Sequence, residues 1–167
     1  YGLQNFLMVA LGALYGTSPV AANAALSGNL VFSALGVLIG GWIASRITHF
    51  RLFSALGLSV TAITALLIGS VDLGALLLIV VMSFAGFCAG MVMPSRDMIV
   101  RSVTPPGAFG KVFAFVTNGF NVAGIIAPLL FGALLDHGEP RAMFYIIAAF
   151  TVLSIIAVAS VSKQRGA

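Results

Sequence analysis

The sequence predicts an all-α fold, a polytopic bundle of six membrane-spanning helices, from its composition and from the spacing of its charges. Hydrophobic residues occupy 60% of the 167 positions and charged residues only 7%, whereas an ordinary soluble domain is about 25% charged. The charges separate apolar runs of about 20 residues, the helical length that crosses a hydrocarbon core of about 30 Å. A membrane barrel is excluded because its strands are alternating segments of about ten residues, whereas these runs are continuous.

Six apolar spans follow one another between charged and turn-forming residues. Residues 1–45 carry no charge and are long enough for two helices, which the turn signals at 15–19 separate. The first span is only about 22 Å long at the helical rise, so we expect its beginning to be missing. The approximate bounds of the six spans are 1–15, 22–44, 52–71, 73–95, 112–135 and 142–162.

The basic residues predict which way the chain crosses the membrane. A basic loop from Arg101 to Lys111 joins the fourth and fifth spans, with Arg96 and Asp97 just before it. Seven of the eight Lys and Arg residues fall on the side of the two chain ends, and only Arg141 falls opposite. Cytoplasmic loops carry an excess of Lys and Arg, so both ends are predicted to be cytoplasmic.

The charge pattern disfavours several functional classes. Basic residues are scattered singly, which does not suit nucleic acid, and the single Cys88 provides neither a disulfide framework nor metal-ligand spacing. We therefore predict no metal and no cofactor. An enzyme is disfavoured because no base and nucleophile lie together within a span. A proton is a candidate coupling ion, but the membrane carboxylate that such coupling usually needs is expected outside this chain.

Uncharged polar residues are the candidate substrate-binding groups. At 100° per residue, Thr117, Asn121 and Pro128 fall with two glycines within an arc of about 80° on the fifth span, with Asn118 at its flank. Two interpretations stay open. In the first, the glycines allow a close helix contact that Asn121 bridges by a hydrogen bond. In the second, both asparagines face a water-filled cavity and Pro128 marks a movable bend. Further cavity candidates are Gln4, Asn5, Asn29 and Phe87.

The fourth span combines a small-residue face with an aromatic face. Gly86 and Gly90 form a small-x-x-x-small pattern, which is typical of close helix packing. Phe84, Phe87 and Met91 share the other face. For Phe87 this arrangement favours packing or lipid contact over substrate contact.

The residues after the second span carry the clearest motif. The segment 41–46 reads Gly-Trp-Ile-Ala-Ser-Arg and is followed by Arg51. It resembles the Gly-x-x-x-Asp-Arg-x-Gly-Arg-Arg loop of major facilitator superfamily transporters, in the copy between helices eight and nine. Gly41 and Arg46 match this pattern. The departures are Ser45 for the acid, Thr48 for the second glycine, and His49 and Phe50 for the basic pair.

The whole chain is similar to the C-terminal six-helix half of such a transporter, beginning inside the seventh helix. The segment 94–111, with Arg96, Asp97 and Arg101, resembles the connection between helices ten and eleven in bacterial members related to drug and fosmidomycin exporters. The resemblance implies two inverted three-helix repeats, with spans one, two, four and five lining a cavity and spans three and six facing lipid. It also implies a missing N-terminal six-helix half and a location in the bacterial inner membrane.

These observations predict a secondary active transporter that moves small organic molecules by alternating access, in the manner of an efflux permease or antiporter. One alternative is an importer of a metabolite or organic anion. Because no fixed cation lies within the spans, neutral, amphipathic or cationic compounds are favoured. The second alternative is a non-transporting receptor or scaffold, which the short water-facing loops disfavour.

Overall fold

The computed structural model describes residues 2–46 and 50–160, and these form six helices. Five of the helices are long and apolar enough to cross a membrane, and the first, with 14 residues, is shorter. The predicted all-α membrane bundle is therefore confirmed. The helices are α1 (Gly2–Tyr15), α2 (Pro19–Ala44), α3 (Phe50–Ser70), α4 (Gly74–Val103), α5 (Phe109–Asp136) and α6 (Pro140–Ser160).

The turn between α1 and α2 forms where the sequence places it. Gly16 adopts a φ of 61°, a left-handed conformation that costs glycine little and that ends α1. Ser18 then caps α2, because its side-chain oxygen accepts a hydrogen bond from the backbone N–H of Ala21 at 3.3 Å. Pro19 occupies the first turn of α2, where its missing N–H costs no hydrogen bond.

The predicted basic loop between the fourth and fifth spans is shorter than expected, because α4 extends into it. Helix α4 continues through Pro94 to Val103, eight residues beyond the predicted end of the fourth span. The helix stops there because Thr104 precedes a proline and is extended, with φ −87° and ψ 129°. Arg96, Asp97 and Arg101 therefore lie within α4, and Lys111 lies in the first turn of α5.

Helices α2 and α4 pack closely through glycines on both sides. Gly86 meets the backbone of Asn29, and Gly90 meets that of Ser33. In the other direction, a Cβ added to Gly40 would lie 2.7 Å from both Cα and the carbonyl oxygen of Met91. The close packing predicted for Gly86 and Gly90 is therefore confirmed, and the absence of side chains lets the two backbones touch.

The hydrophobic core lies at one end of the bundle. Its members belong to the later parts of α1, α3 and α5 and to the first parts of α2, α4 and α6, away from the turn between α4 and α5. Helix α3 packs on α4 and α6, and α1 packs on α2, α5 and α6. The buried core residues are Leu7, Ala10, Leu11, Ala22, Ala25, Ile68, Leu78, Met82, Phe131, Met143 and Phe144.

Candidate functional site

Helix α5 is held by the bundle at one end and is exposed along most of its length. Phe131 is its buried anchor, 6% exposed, and meets Phe6 of α1 edge to face with ring centroids 6.3 Å apart. Elsewhere α5 touches α4 at few points. A helix with this little burial within its own bundle presents a broad face to whatever lies beside it in the membrane.

The polar residues predicted on α5 lie on that open surface. Thr117, Asn118 and Asn121, here called the polar face, are all exposed. The Thr117 hydroxyl donates to the Phe113 carbonyl oxygen of its own helix at 2.9 Å. Within residues 2–46 and 50–160, neither asparagine amide makes a hydrogen bond to another side chain or to the backbone. The polar face therefore keeps four amide donors and two amide oxygens available to a ligand.

The glycines beside the polar face have free space next to them, although both are half-buried. Apart from the adjoining residues of α5 itself, no atom of the described residues lies within 4 Å of the position that a Cβ would take on Gly124 or Gly132. Within these six helices, the glycines of α5 therefore do not bring a neighbouring helix into close contact. Pro128 lies inside α5 and is half-buried, and the helix continues through it to Asp136.

The other cavity candidates lie in different surroundings. Asn29 is 8% exposed, and its Nδ2 donates to the Met82 carbonyl oxygen at 2.9 Å, so its amide bridges α2 and α4. Phe87 is half-buried, and its backbone packs against Gly36. Gln4 and Asn5 belong to α1, and their side chains lie outside the described part of the structure.

Arg96 and Asp97, which the sequence places before a loop, form an ion pair within α4, and Arg96 also contacts α5. Asp97 Oδ1 accepts hydrogen bonds from Arg96 Nη2 at 3.0 Å and Nε at 3.3 Å. The Arg96 guanidinium also stacks over Phe120, with Cζ 4.4 Å from the ring centroid. The sequence analysis did not predict the contact between Arg96 and Phe120. Phe120 lies next to Asn121 at the flank of the polar face, and this position is the sequence signal that could have indicated it.

Comparison with known proteins decides the family. The family model described as Major Facilitator Superfamily matches residues 1–165. The chain belongs to the Major Facilitator Superfamily. Its six helices accordingly make it a multi-pass membrane protein of that superfamily.

Two curated proteins of similar sequence are named as efflux pumps. "Efflux pump bfoC" of Aspergillus brasiliensis is 30% identical over 134 residues, which is 71% of this chain and 24% of that protein. "Multi-drug resistance efflux pump PmrA homolog" of Lactococcus lactis subsp. cremoris is 28% identical over 71 residues, which is 42% of this chain and 60% of that protein. The chain thus spans about a quarter of the first relative and 60% of the second. No solved structure matches the chain.

The segment that resembles the loop motif of the superfamily lies at the end of α2. Arg46 stacks on Trp42, with Cζ 4.1 Å from the ring centroid, and the Ser45 hydroxyl donates to the Trp42 carbonyl oxygen at 2.7 Å. Apart from the adjoining residues of α2, no atom of the described residues lies within 4 Å of where the Gly41 Cβ would be. Arg51 lies in the first turn of α3 with its side chain outside the described part, and Thr48 and His49 lie outside the described residues.

Arg101, near the α4–α5 turn, is also exposed. Arg101 lies in the last turn of α4, where its charge is favourable beside the carbonyl end of the helix. It lines an open cleft with Thr104, Pro105, Pro106, Gly107 and Phe109. Together with Lys111, it places positive charge at the end of the bundle that the core does not fill.

Proposed function

We propose that this chain forms part of a secondary transporter that exports small organic molecules by alternating access. The polar face of α5 carries the proposal, because exposed amides on a membrane helix mark a water-filled path or a partner helix and not lipid. Both relatives are named as efflux pumps, and this supports export over import.

The exposed length of α5 supports a second bundle of helices opposite this one. Asparagine amides that face hydrocarbon are costly, so a membrane protein with this helix needs a cover over it. We infer that a further six-helix, N-terminal half provides the cover and that the cavity lies between the two halves. Rocking of one half against the other would then expose the polar face to each side of the membrane in turn.

Within this proposal, Asn121, Asn118 and Thr117 contact the substrate. Gln4 and Asn5 remain predicted members of the cavity on α1, and Phe87 remains a weaker one. The Asn29 amide already bridges two helices, which supports a packing role for it. Gly41, Arg46, Arg51 and Pro128 are proposed to serve the conformational change, with both chain ends cytoplasmic in the inner membrane and a proton as the candidate coupling ion.

Replacement of Asn121 by alanine tests the proposal. In the full-length protein, we expect Asn121→Ala to leave the folded yield near that of the parent and to change the relative transport of several compounds. The matched control is Ser154→Ala on α6, which also removes an exposed hydrogen-bonding group but lies on a helix that the resemblance places toward lipid. Transport is measured in vesicles and divided by the amount of folded protein from gel filtration.

The result separates the two roles open to Asn121. A residue that bridges helices contributes about 0.6 to 2 kcal/mol to packing, so its loss lowers folded yield and affects all compounds alike. A uniform loss that follows yield would therefore contradict the cavity assignment. Uptake into the cell in place of export would favour the importer, and binding without flux in either direction would favour the receptor.

A further inference from the structure

The Arg96 guanidinium lies between a carboxylate and an aromatic ring. Its edge faces Asp97, with Nη2 and Nε at 3.0 and 3.3 Å from Oδ1, and its face lies over the Phe120 ring, with Cζ 4.4 Å from the centroid. These are the two groups that proteins use to hold a planar organic cation, a counter-charge for its N–H edge and a π system for its face.

Helix direction places this contact about two turns before the end of α4. Side chains lean toward the N-terminus of their own helix, so Arg96 leans away from the turn that joins α4 to α5. The ring that it meets lies eleven residues after Phe109, or about 16 Å along α5. The exposed parts of Arg96 and Phe120 border open space beside α4 and α5. Phe120 is also next to Asn121, so the same space adjoins the polar face.

The contacts are open to exchange with a ligand. The side chain of Arg96 is 36% exposed and that of Asp97 is 44% exposed, and Phe120 is 38% exposed. Exposed ion pairs are weak because water competes for both charges. Asp97 Oδ1 accepts from two nitrogens of the guanidinium and Phe120 covers its face, so an anion that approaches the remaining N–H groups is repelled by the neighbouring carboxylate. A cationic ligand can instead replace Arg96 as the partner of the Asp97 carboxylate.

We propose that Asp97 and Phe120 form a recognition site for organic cations, in which the Arg96 guanidinium is a built-in occupant that the substrate displaces. This inference rests on the proposed transport function and names the substrate class of its cavity. A cation with a planar, delocalised charge replaces Arg96 on the carboxylate and on the ring, while its apolar part lies along α5 toward Asn121.

Benzylguanidinium and its uncharged analogue benzylurea test the site by calorimetric binding to the purified full-length protein. The two probes have nearly the same shape, so the difference between them reports the charge. We expect benzylguanidinium to bind and benzylurea to bind at least about tenfold more weakly, the size of one charge-assisted contact. Equal affinities would overturn the proposal.

Four substitutions at the site are expected to have different effects on binding: one tightens it, two weaken it and one retains it. Removal of the occupant in Arg96→Gln should tighten benzylguanidinium binding by about three- to tenfold, because the cation no longer competes with a weak exposed pair. Asp97→Asn should weaken it by about tenfold, and Phe120→Leu by a similar factor. Asp97→Glu keeps the charge and should retain binding. The matched control is Arg101→Gln, which removes an exposed arginine from the same helix and should leave the affinity unchanged.

The sign of the Arg96→Gln effect decides between the possible roles of this arginine. A purely structural arginine, or one that binds an anion, predicts weaker or unchanged affinity for the cation, and either result would refute the occupant role. Each variant is compared only after gel filtration shows a monodisperse protein. Vesicle flux of other compounds is measured in parallel. Flux without cation binding would reject this site alone, and binding without any flux would reject the transport function alone.

Discussion

Replacement of Gly40 by alanine should destabilise the bundle, because the added methyl group would strike the backbone of α4. The new Cβ would lie 2.7 Å from both Cα and the carbonyl oxygen of Met91. Backbone atoms cannot rotate away as a side chain does, so α2 and α4 must separate by about 0.7 Å before the contact becomes ordinary. Overpacking of this kind costs about 1 to 3 kcal/mol. This cost is reduced by up to about 1 kcal/mol, because alanine is more favourable than glycine in a helix.

The neighbouring Gly41 supplies the matched control. It lies on the same helix, one residue further on, and no atom of the described residues beyond its own helical neighbours lies within 4 Å of its Cβ position. Gly41→Ala should therefore leave stability unchanged or raise it by up to about 1 kcal/mol. Reversible unfolding of the full-length protein in mixed detergent and SDS micelles measures the stability of both variants. A net loss of about 1 to 2 kcal/mol in the free energy of unfolding of Gly40→Ala is about a five- to thirtyfold change in the unfolding equilibrium.

A second substitution makes the test specific to the backbone contact. Shortening of the Met91 side chain in Gly40→Ala/Met91→Ala should not restore stability, because the clashing atoms are Cα and the carbonyl oxygen. Equal stability of the Gly40→Ala and Gly41→Ala variants would refute the close approach of α2 and α4. Rescue by Met91→Ala would show instead that the side chain limits the contact.

Three further predictions address the membrane topology, the α2–α4 bridge and the second half. In a cysteine-free background, cysteines at Thr104 and Gly138 should label from opposite sides of intact cells, because seven of eight basic residues lie on the first side; labelling of both by an impermeant reagent from outside would contradict the topology. Asn29→Leu should destabilise the full-length protein by about 0.6 to 2 kcal/mol in the same SDS assay, because it leaves the Met82 carbonyl oxygen without its amide donor; an unchanged unfolding curve would reject the bridge. Reconstituted residues 1–167 should show no substrate-dependent flux, because half of a cavity exposes its polar face to lipid, and robust flux by this chain alone would remove the need for a second half.

The candidate site was only partly predictable. Helical periodicity placed Thr117, Asn118 and Asn121 on one side of α5 before any contact was known, and the structure leaves that side open. Periodicity says nothing about which neighbour a polar side chain meets. It therefore could not distinguish Asn29, whose amide bridges to Met82, from the asparagines of α5, since all three are uncharged polar residues within apolar spans.

The amino-acid sequence by itself determined the fold class, the number of helices and the family, because bilayer length and charge spacing constrain a membrane chain residue by residue. Local chemistry likewise determined the α1–α2 turn at Gly16, whereas the continuation of α4 through Pro94 to Val103 was not predicted. Only the tertiary structure decided which helices touch. The pairing of α2 with α4 depends on two backbones that meet at Gly40 and Gly90, and the contact of Arg96 with Phe120 depends on the extra helical turns that carry α4 past Pro94. Such contacts join residues distant in sequence, and their geometry exists only once the helices have packed.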